Sequence, residues 1–413
     1  MHFQVVKRKI SNTNSISRNV YIRNLMSEKK KIIIIGPAFP YRGGNSLYVT
    51  SVYHQLKDHF DVKVFNYKVL YPSILFPGTS QFDKSNVAIN PAPNQRLVNS
   101  VNPFNWISIA SKLKKENADL IVFDWWHPFF SFCHYTISLL IKGKYKNKIL
   151  FITENVVSHE SRWFEKALTK IGLSNSNYFL ALSNVVENDL KKYFTDKKIF
   201  KSELPVYDCY DMHQKFDNEA TKRELKINSS DKVLLFFGYV RKYKGLHILI
   251  DAMPEILKTH PTVKLLVVGE FYDDEQHYRK QVEDLNLNDK VLFVSRFVPN
   301  EEVEKYFNVS DVAVMPYLSA TQSGVLNVAY GFNKPVVITD VGGLTENFED
   351  GLTGVVVQPG NIKSLTDGVN KFYELQKSTN FATHISRKVN ENGFNKLHLV
   401  FDDIINESQK QIV

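Results

Sequence analysis

Eleven short apolar runs separated by stretches of helical character constrain this chain more than any other feature. The first series is KIIIIG (31–36), VKVFNY (62–67), LIVFDW (120–125), KILFIT (148–153) and YFLALS (178–183). The second is VLLFFG (233–238), KLLVVGE (264–270), VLFVSRF (291–297), VAVMPY (312–317), PVVITDV (335–341) and TGVVVQP (353–359). A strand apolar on both faces must be covered on both, and strands alternating with helices specify a parallel sheet wrapped by helices. Two such series predict an α/β chain of two parallel-sheet units.

A length of 413 residues agrees, because one hydrophobic core rarely organises more than about 250–300 residues. Between the series, Pro205 to Asp231 is polar and rich in turn formers, so it reads as a linker running into a short helix. Phe394, Leu397, Val400, Phe401, Ile404 and Ile405 recur at helical intervals and predict a closing amphipathic helix. The expected division is a basic disordered extension over 1–30, an N-terminal Rossmann-like domain over 31–205, a C-terminal one over 206–392, and a terminal helix over 393–413 packing back toward the first domain.

The formal charge of +9 suggests a nucleic-acid binder until it is located. Lys7, Arg8, Lys9, Arg18, Arg23, Lys29, Lys30 and Lys31 face Glu28 alone, so the first 35 residues carry most of the excess and the body is nearly balanced. That leader lacks the apolar core and cleavage site of a secretory signal. Phe129 to Ile141 is too short to span a bilayer and reads as a buried helix. Cys133 and Cys209 lie far apart without metal-ligand spacing, which points to reduced structural thiols and a cytoplasmic setting.

Ligands in parallel α/β sheets bind beyond the carboxyl ends of strands, so the loops there are where chemistry is sought. Residues 317–346 run from a polar turn, Ser319 to Gly324, into a helix, then a buried strand and a second turn at Gly342-Gly343. Small residues opening a helix offer unpaired amides at its positive end, which suits a diphosphate. Phe236 to Leu246 ends another strand in a glycine turn at Gly238 and adds two cations, Arg241 and Lys244. Gly36 to Asn45 carries the pair Gly43-Gly44 after Arg42, without the spacing of a dinucleotide fingerprint. Trp125, Trp126 and His127 follow one strand, where they either stack on a sugar or simply pack; Glu154, His159 and Glu160 follow the next as titratable candidates.

In these segments the chain resembles the retaining glycosyltransferases of family 4, the glycosyl transferases group 1, over roughly Lys31 to Val413. The resemblance rests on GPAFPYRGGN, the glycine turn ending in Lys244-Gly245, the strand Asp311 to Tyr317, SATQSG at 319–324, and KPVV at 334–337 followed by Val341-Gly342-Gly343. It implies a GT-B fold, two facing Rossmann-like domains joined by a C-terminal crossover helix. It places Lys244 at the family's diphosphate lysine, and Tyr239 at its arginine, with Arg241 two residues on as the replacement. Gly43, Gly44, Gly238, Phe297, Thr321, Gln322, Ser323, Gly324 and Val325 become donor-binding candidates, with Arg296 and Phe297 at the base. Arg42, His127, Glu154, His159 and Glu160 become acceptor-side candidates. The two glutamates the family carries eight positions apart are Ala320 and Val328 here.

The implied activity is transfer of a sugar from a nucleoside diphosphate sugar to a hydroxyl acceptor with retention of configuration, in polysaccharide or glycolipid assembly. No metal or cofactor is implied, and Arg241 and Lys244 are the expected catalytic cations. The partners are the donor and a sugar or lipid-linked acceptor, with peripheral contact at an anionic inner membrane face suggested by Lys142, Lys144, Lys146 and Lys148 and by Lys191, Lys192, Lys197 and Lys198. Two alternatives stand beside it: a catalytically silent nucleotide-sugar-binding partner, and a sugar-nucleotide epimerase.

Overall fold

The structure is a computed structural model that describes residues 29–76, 78, 80–156, 163–210 and 216–410. Most of the basic extension and the pair His159 and Glu160 lie outside the described residues.

The first sheet has seven strands, β1 (Lys31–Ile35), β2 (Asp61–Val69), β3 (Asn94–Asn99), β4 (Leu120–Trp125), β5 (Ile149–Thr153), β6 (Tyr178–Ala181) and β7 (Lys198–Lys201), all parallel and ordered β3-β2-β1-β4-β5-β6-β7. The second has six, β8 (Lys232–Phe237), β9 (Val263–Val268), β10 (Val291–Val294), β11 (Val312–Met315), β12 (Val336–Thr339) and β13 (Gly354–Val357), parallel in the order β10-β9-β8-β11-β12-β13. In β1 the four consecutive isoleucines are all buried, as a central strand with helices on both faces requires.

The apolar-run pattern finds neither β3 (NQRLVN) nor β7 (KIFK). Both close an edge of the first sheet, where a strand has one neighbour and keeps polar, solvent-facing residues. A second correction concerns Phe129 to Ile141. It forms a short 3-10 turn and then the helix Ser131–Ile141, which buries Cys133, His134, Ile137 and Ile141 yet leaves Phe132, Leu139 and Leu140 exposed. It is buried on one face only.

The helix Gly44–Leu56 packs on the first sheet through Tyr48, Val49, Val52 and Leu56. Into the same core the last helix, Leu397–Lys410, inserts Leu397, Phe401, Ile404 and Ile405, so the chain returns to its first domain at its end. Between the sheets the linker buries Tyr207, whose N–H donates to the carbonyl of Asn327 at 3.2 Å. The helix Asn218–Glu224, capped by Asp217, then leads into β8.

Loops beyond strand carboxyl ends meet one another across the two domains. Arg42 reaches Glu270 at 2.5 Å, Thr321 donates to Asn155, and the backbone N–H of Asn184 donates to both oxygens of Glu346 at 2.8 and 2.9 Å. Asn300 adds bonds to Ser85 and Asp83, both at 2.9 Å. The carboxyl edges of the two sheets therefore face each other over a common cleft.

Candidate donor site

The cleft encloses a cavity of about 310 Å³ whose walls come from both domains. One wall begins where β8 ends. Gly238 lies at φ +98°, and a side chain there would come within 3.3 Å of the Lys244 ammonium, so glycine leaves the room that lysine crosses. Gly245, at φ +71°, lets the turn press against β11; a Cβ would stand 2.0 Å from the Pro316 carbonyl oxygen. Lys244 is thereby turned inward, 8% exposed, with its Nζ 5.6 Å from the centre of the Tyr317 ring.

No carboxylate pairs with Lys244 among the described residues. Burial, and secondarily the charge of Arg241, pull its pKa down to about 8 from 10.5. A desolvated cation without a partner is costly unless an anion arrives to meet it.

Beside it lies the Ser319–Gly324 turn. Gly342, at φ +52°, carries it on its back: a Cβ there would stand 1.7 Å from the Ala320 carbonyl oxygen. Ser323 accepts from the Leu326 N–H and caps the helix Gly324–Gly331. The Oε1 atom of Gln322 is buried in the same wall with no partner among the described residues. Opposite stand Gly43, at φ +99°, and Gly44.

Of the donor-side candidates, Gly43, Gly44, Gly238, Phe297, Gln322, Ser323, Gly324 and Val325 line the cavity together with Lys244. Thr321 does not line it; its hydroxyl is committed to Asn155. Arg241 is also outside the wall, its guanidinium 5.0 Å over the Tyr272 ring. Arg296 points outward to Glu302, at 2.5 Å. Ala320 and Val328, at the positions of the family's glutamates, are buried in the wall and make that part apolar.

Arg42, read from sequence as acceptor-side, lines this same cavity, 4.4 Å over the Phe297 ring. Glu154 lies against the first turn of the helix Gly44–Leu56, where its Oε2 accepts from Asn45 at 2.8 Å and burial raises its pKa to about 7. His127, exposed at the surface, uses Nδ1 to accept from the Phe129 N–H at 3.1 Å. Trp125 is wholly in the core, and Trp126 donates to the Tyr71 hydroxyl at 3.0 Å. Sequence reasoning did not single out Glu270 or Tyr207; Glu270 ends the run KLLVVGE, so the rule that sites follow strand ends could have found it.

Residues 217–392 match the family model described as glycosyl transferases group 1. The uncharacterized glycosyltransferase MJ1607 of Methanocaldococcus jannaschii is 32% identical over 36% of this chain and 38% of its own. The spore coat protein SA of Bacillus subtilis is 28% identical over 46% and 54%. The N-acetyl-alpha-D-glucosaminyl L-malate synthase of Bacillus anthracis is 24% identical over 80% and 84%. The chain thus spans about half or less of the first two relatives and most of the third. In architecture it is similar to Anabaena HepE in complex with UDP, at a TM-score of 0.69 and 16% identity over 92% of this chain and 100% of that one. Sucrose-phosphate synthase from Thermosynechococcus elongatus gives 0.66 and 17% over 93% and 98%. The fold is GT-B, and its C-terminal half carries the group 1 glycosyltransferase signature.

Proposed function

From a GT-B chain with that signature, we propose a retaining glycosyltransferase of family 4 type, which moves a sugar from a nucleoside diphosphate sugar to a hydroxyl acceptor. The observation that carries the reading is Lys244, a buried ammonium that no carboxylate of the described residues pairs with, beside the Ser319–Gly324 turn. HepE, a fold neighbour, has been seen with UDP and with UDP-glucose, which suits a cavity of this kind.

In the proposed reaction the bond between the anomeric carbon and the diphosphate oxygen breaks while the acceptor oxygen bonds to the same face of that carbon. Positive charge grows on the sugar and negative charge on the departing diphosphate. Lys244 and the turn amides meet that negative charge, and the acceptor's proton passes to a phosphate oxygen of the leaving group. A cation ~4 Å away is worth about 4 kcal/mol at an effective dielectric of ~20, before desolvation is charged against it. Transition-state stabilisation of ~8–23 kcal/mol is common, so fixed positive charge contributes a large share without any role for a metal.

The acceptor is proposed to be lipid-linked and met at an anionic membrane. The helices Pro103–Glu116, Ser131–Ile141 and Trp163–Leu173 pack side by side and expose Phe104, Ile107 and Phe132 among their outward residues. Exposed lysines, including Lys114, Lys115, Lys142 and Lys146, surround them. None of the described helices is long and apolar enough to cross a membrane, and the contact is proposed as a peripheral one.

A second reading, a silent nucleotide-sugar-binding partner, is favoured by one feature: apolar Ala320 and Val328 where the family keeps carboxylates. A thermal-shift panel of UDP-, GDP- and ADP-sugars, followed by assay of nucleoside diphosphate release with acceptor, decides between them. Stabilisation with release is expected. Stabilisation without release by any acceptor points to the silent partner, and no stabilisation by any donor overturns both.

A further inference from the structure

Arg241 lies outside the cavity wall, and Tyr239 fills the position after Gly238. A guanidinium that does line the cavity comes from the opposite domain. Arg42 immediately precedes Gly43-Gly44 and extends across the cleft until its side chain is 3% exposed. Its charge lies 4.4 Å over Phe297 and 5.8 Å over Tyr239, and its NH2 group meets the carboxylate of Glu270, itself only 8% exposed. Its Nε is buried with no partner among the described residues, so that N–H remains available to a ligand.

A guanidinium buried between aromatic rings, bonded to one carboxylate and donating incompletely, is suited to exchange that carboxylate for a diphosphate. A diphosphate offers more acceptor oxygens and more charge than a single carboxylate, and the fork of Arg matches it. We propose that Arg42 is a diphosphate-binding cation supplied across the cleft, and that Glu270 is its placeholder in the unliganded pocket. When the donor arrives, its phosphates take Arg42 from Glu270, so one residue of the N-terminal domain reports that the C-terminal domain is occupied. The inference rests on the nucleoside diphosphate reading above and names a partner for the leaving group beyond Lys244.

An ion pair that merely fastened two domains would be weakened in the same sense by removing either member. A placeholder behaves differently: removing Arg42 removes a ligand for phosphate, whereas neutralising Glu270 removes its competitor. The test is calorimetric titration of the full chain with UDP and with uridine, on the wild type, Arg42→Ala, Arg42→Lys and Glu270→Gln. Loss of a charge-assisted bond to phosphate should weaken UDP binding about ten- to hundredfold in Arg42→Ala, with Arg42→Lys between it and the wild type. Glu270→Gln should bind UDP several-fold more tightly. Uridine affinity should move little in any variant, since it has no phosphate.

Should Arg42→Ala fail to fold, the opposed shifts of Arg42→Lys and Glu270→Gln still decide the matter. Shifts of the same sign in those two variants, or equal shifts for uridine and UDP, overturn the placeholder role while leaving the transferase reading intact. A wild type that binds UDP, GDP and ADP no better than the free nucleosides overturns both.

Discussion

Asp124 and Glu154 stand at the carboxyl ends of the neighbouring strands β4 and β5, and burial there raises the pKa of both. Both oxygens of Asp124 and the Oε1 of Glu154 are buried and have no hydrogen-bond partner among the described residues. The Tyr48 hydroxyl, close by, is equally unpartnered. Each negative charge raises the cost of the other, so a proton held by the pair is favoured in the folded state.

The consequence for stability has a definite sign. Glu154 titrates at about 7 in the fold against 4.5 as a free side chain, so between those values the folded chain holds a proton that the unfolded chain has released. Stability therefore falls as pH rises through that window. The Glu154→Gln variant keeps the bond to Asn45 and removes the ionisation. Its melting temperature should vary less between about pH 5 and pH 8 than the wild type's and exceed it at the upper end. Parallel pH profiles for the two proteins would contradict this assignment.

Lys244 gives a prediction on activity. Replacing it with Ala should lower turnover about 10²–10³-fold, the size of losing one preorganised electrostatic donor, and a near-normal rate would remove it from the mechanism. Its charge also predicts a pH dependence of binding. With a pKa of about 8 in the empty site, the ammonium is protonated below that value and neutral above it, so UDP affinity should decline as pH rises past about 8. Bound diphosphate favours the charged form, and UDP binding near the midpoint should draw protons from the buffer. Calorimetry in buffers of different ionisation enthalpy measures that uptake, and Lys244→Ala should abolish it.

Gly342 tests the support beneath the Ser319–Gly324 turn. With φ at +52° and the Ala320 carbonyl oxygen 1.7 Å from any added Cβ, Gly342→Ala must displace one turn or the other. A loss of stability of at least ~3 kcal/mol is expected, with weakened UDP binding. Gly143, where a Cβ meets nothing within 4 Å, provides the comparison: Gly143→Ala should unfold within a degree or two of the wild type. Equal denaturation midpoints for the two variants would show that the contact is relieved cheaply.

The parts of the molecule that could be read from sequence are those that local physics overdetermines. Interior strands such as KIIII are buried on both faces, and their short length and β-branched residues separate them from a buried helix. The edge strands β3 and β7 escaped because one open side lets polar residues in and blurs the signal. The place of Lys244 in the cavity wall was legible because its turn is framed by glycines at fixed offsets. The reach of Arg42 to Phe297 was not legible, because sequence shows which domain a residue belongs to but not how far its side chain extends. The pairing of Arg42 with Glu270, some 228 positions apart, and of Thr321 with Asn155, depends on how two separately folded domains meet. No local pattern encodes that relation.

That meeting of domains is itself testable at Thr321 and Asn155. The Thr321 hydroxyl, 8% exposed, donates to the Asn155 side-chain carbonyl and ties the turn beside Lys244 to the loop after β5. If the bond holds the cleft closed over a donor, removing it shifts the population toward an open form and lowers apparent donor affinity without touching the reacting groups. Asn155→Ala and Thr321→Val should each raise KM for the donor about three- to tenfold, with kcat at saturation little changed. Because both remove one bond, the double variant should resemble either single one, whereas independent contributions would multiply. Multiplying effects, or a loss confined to kcat, would mean that these residues act separately and not as a clasp between the domains.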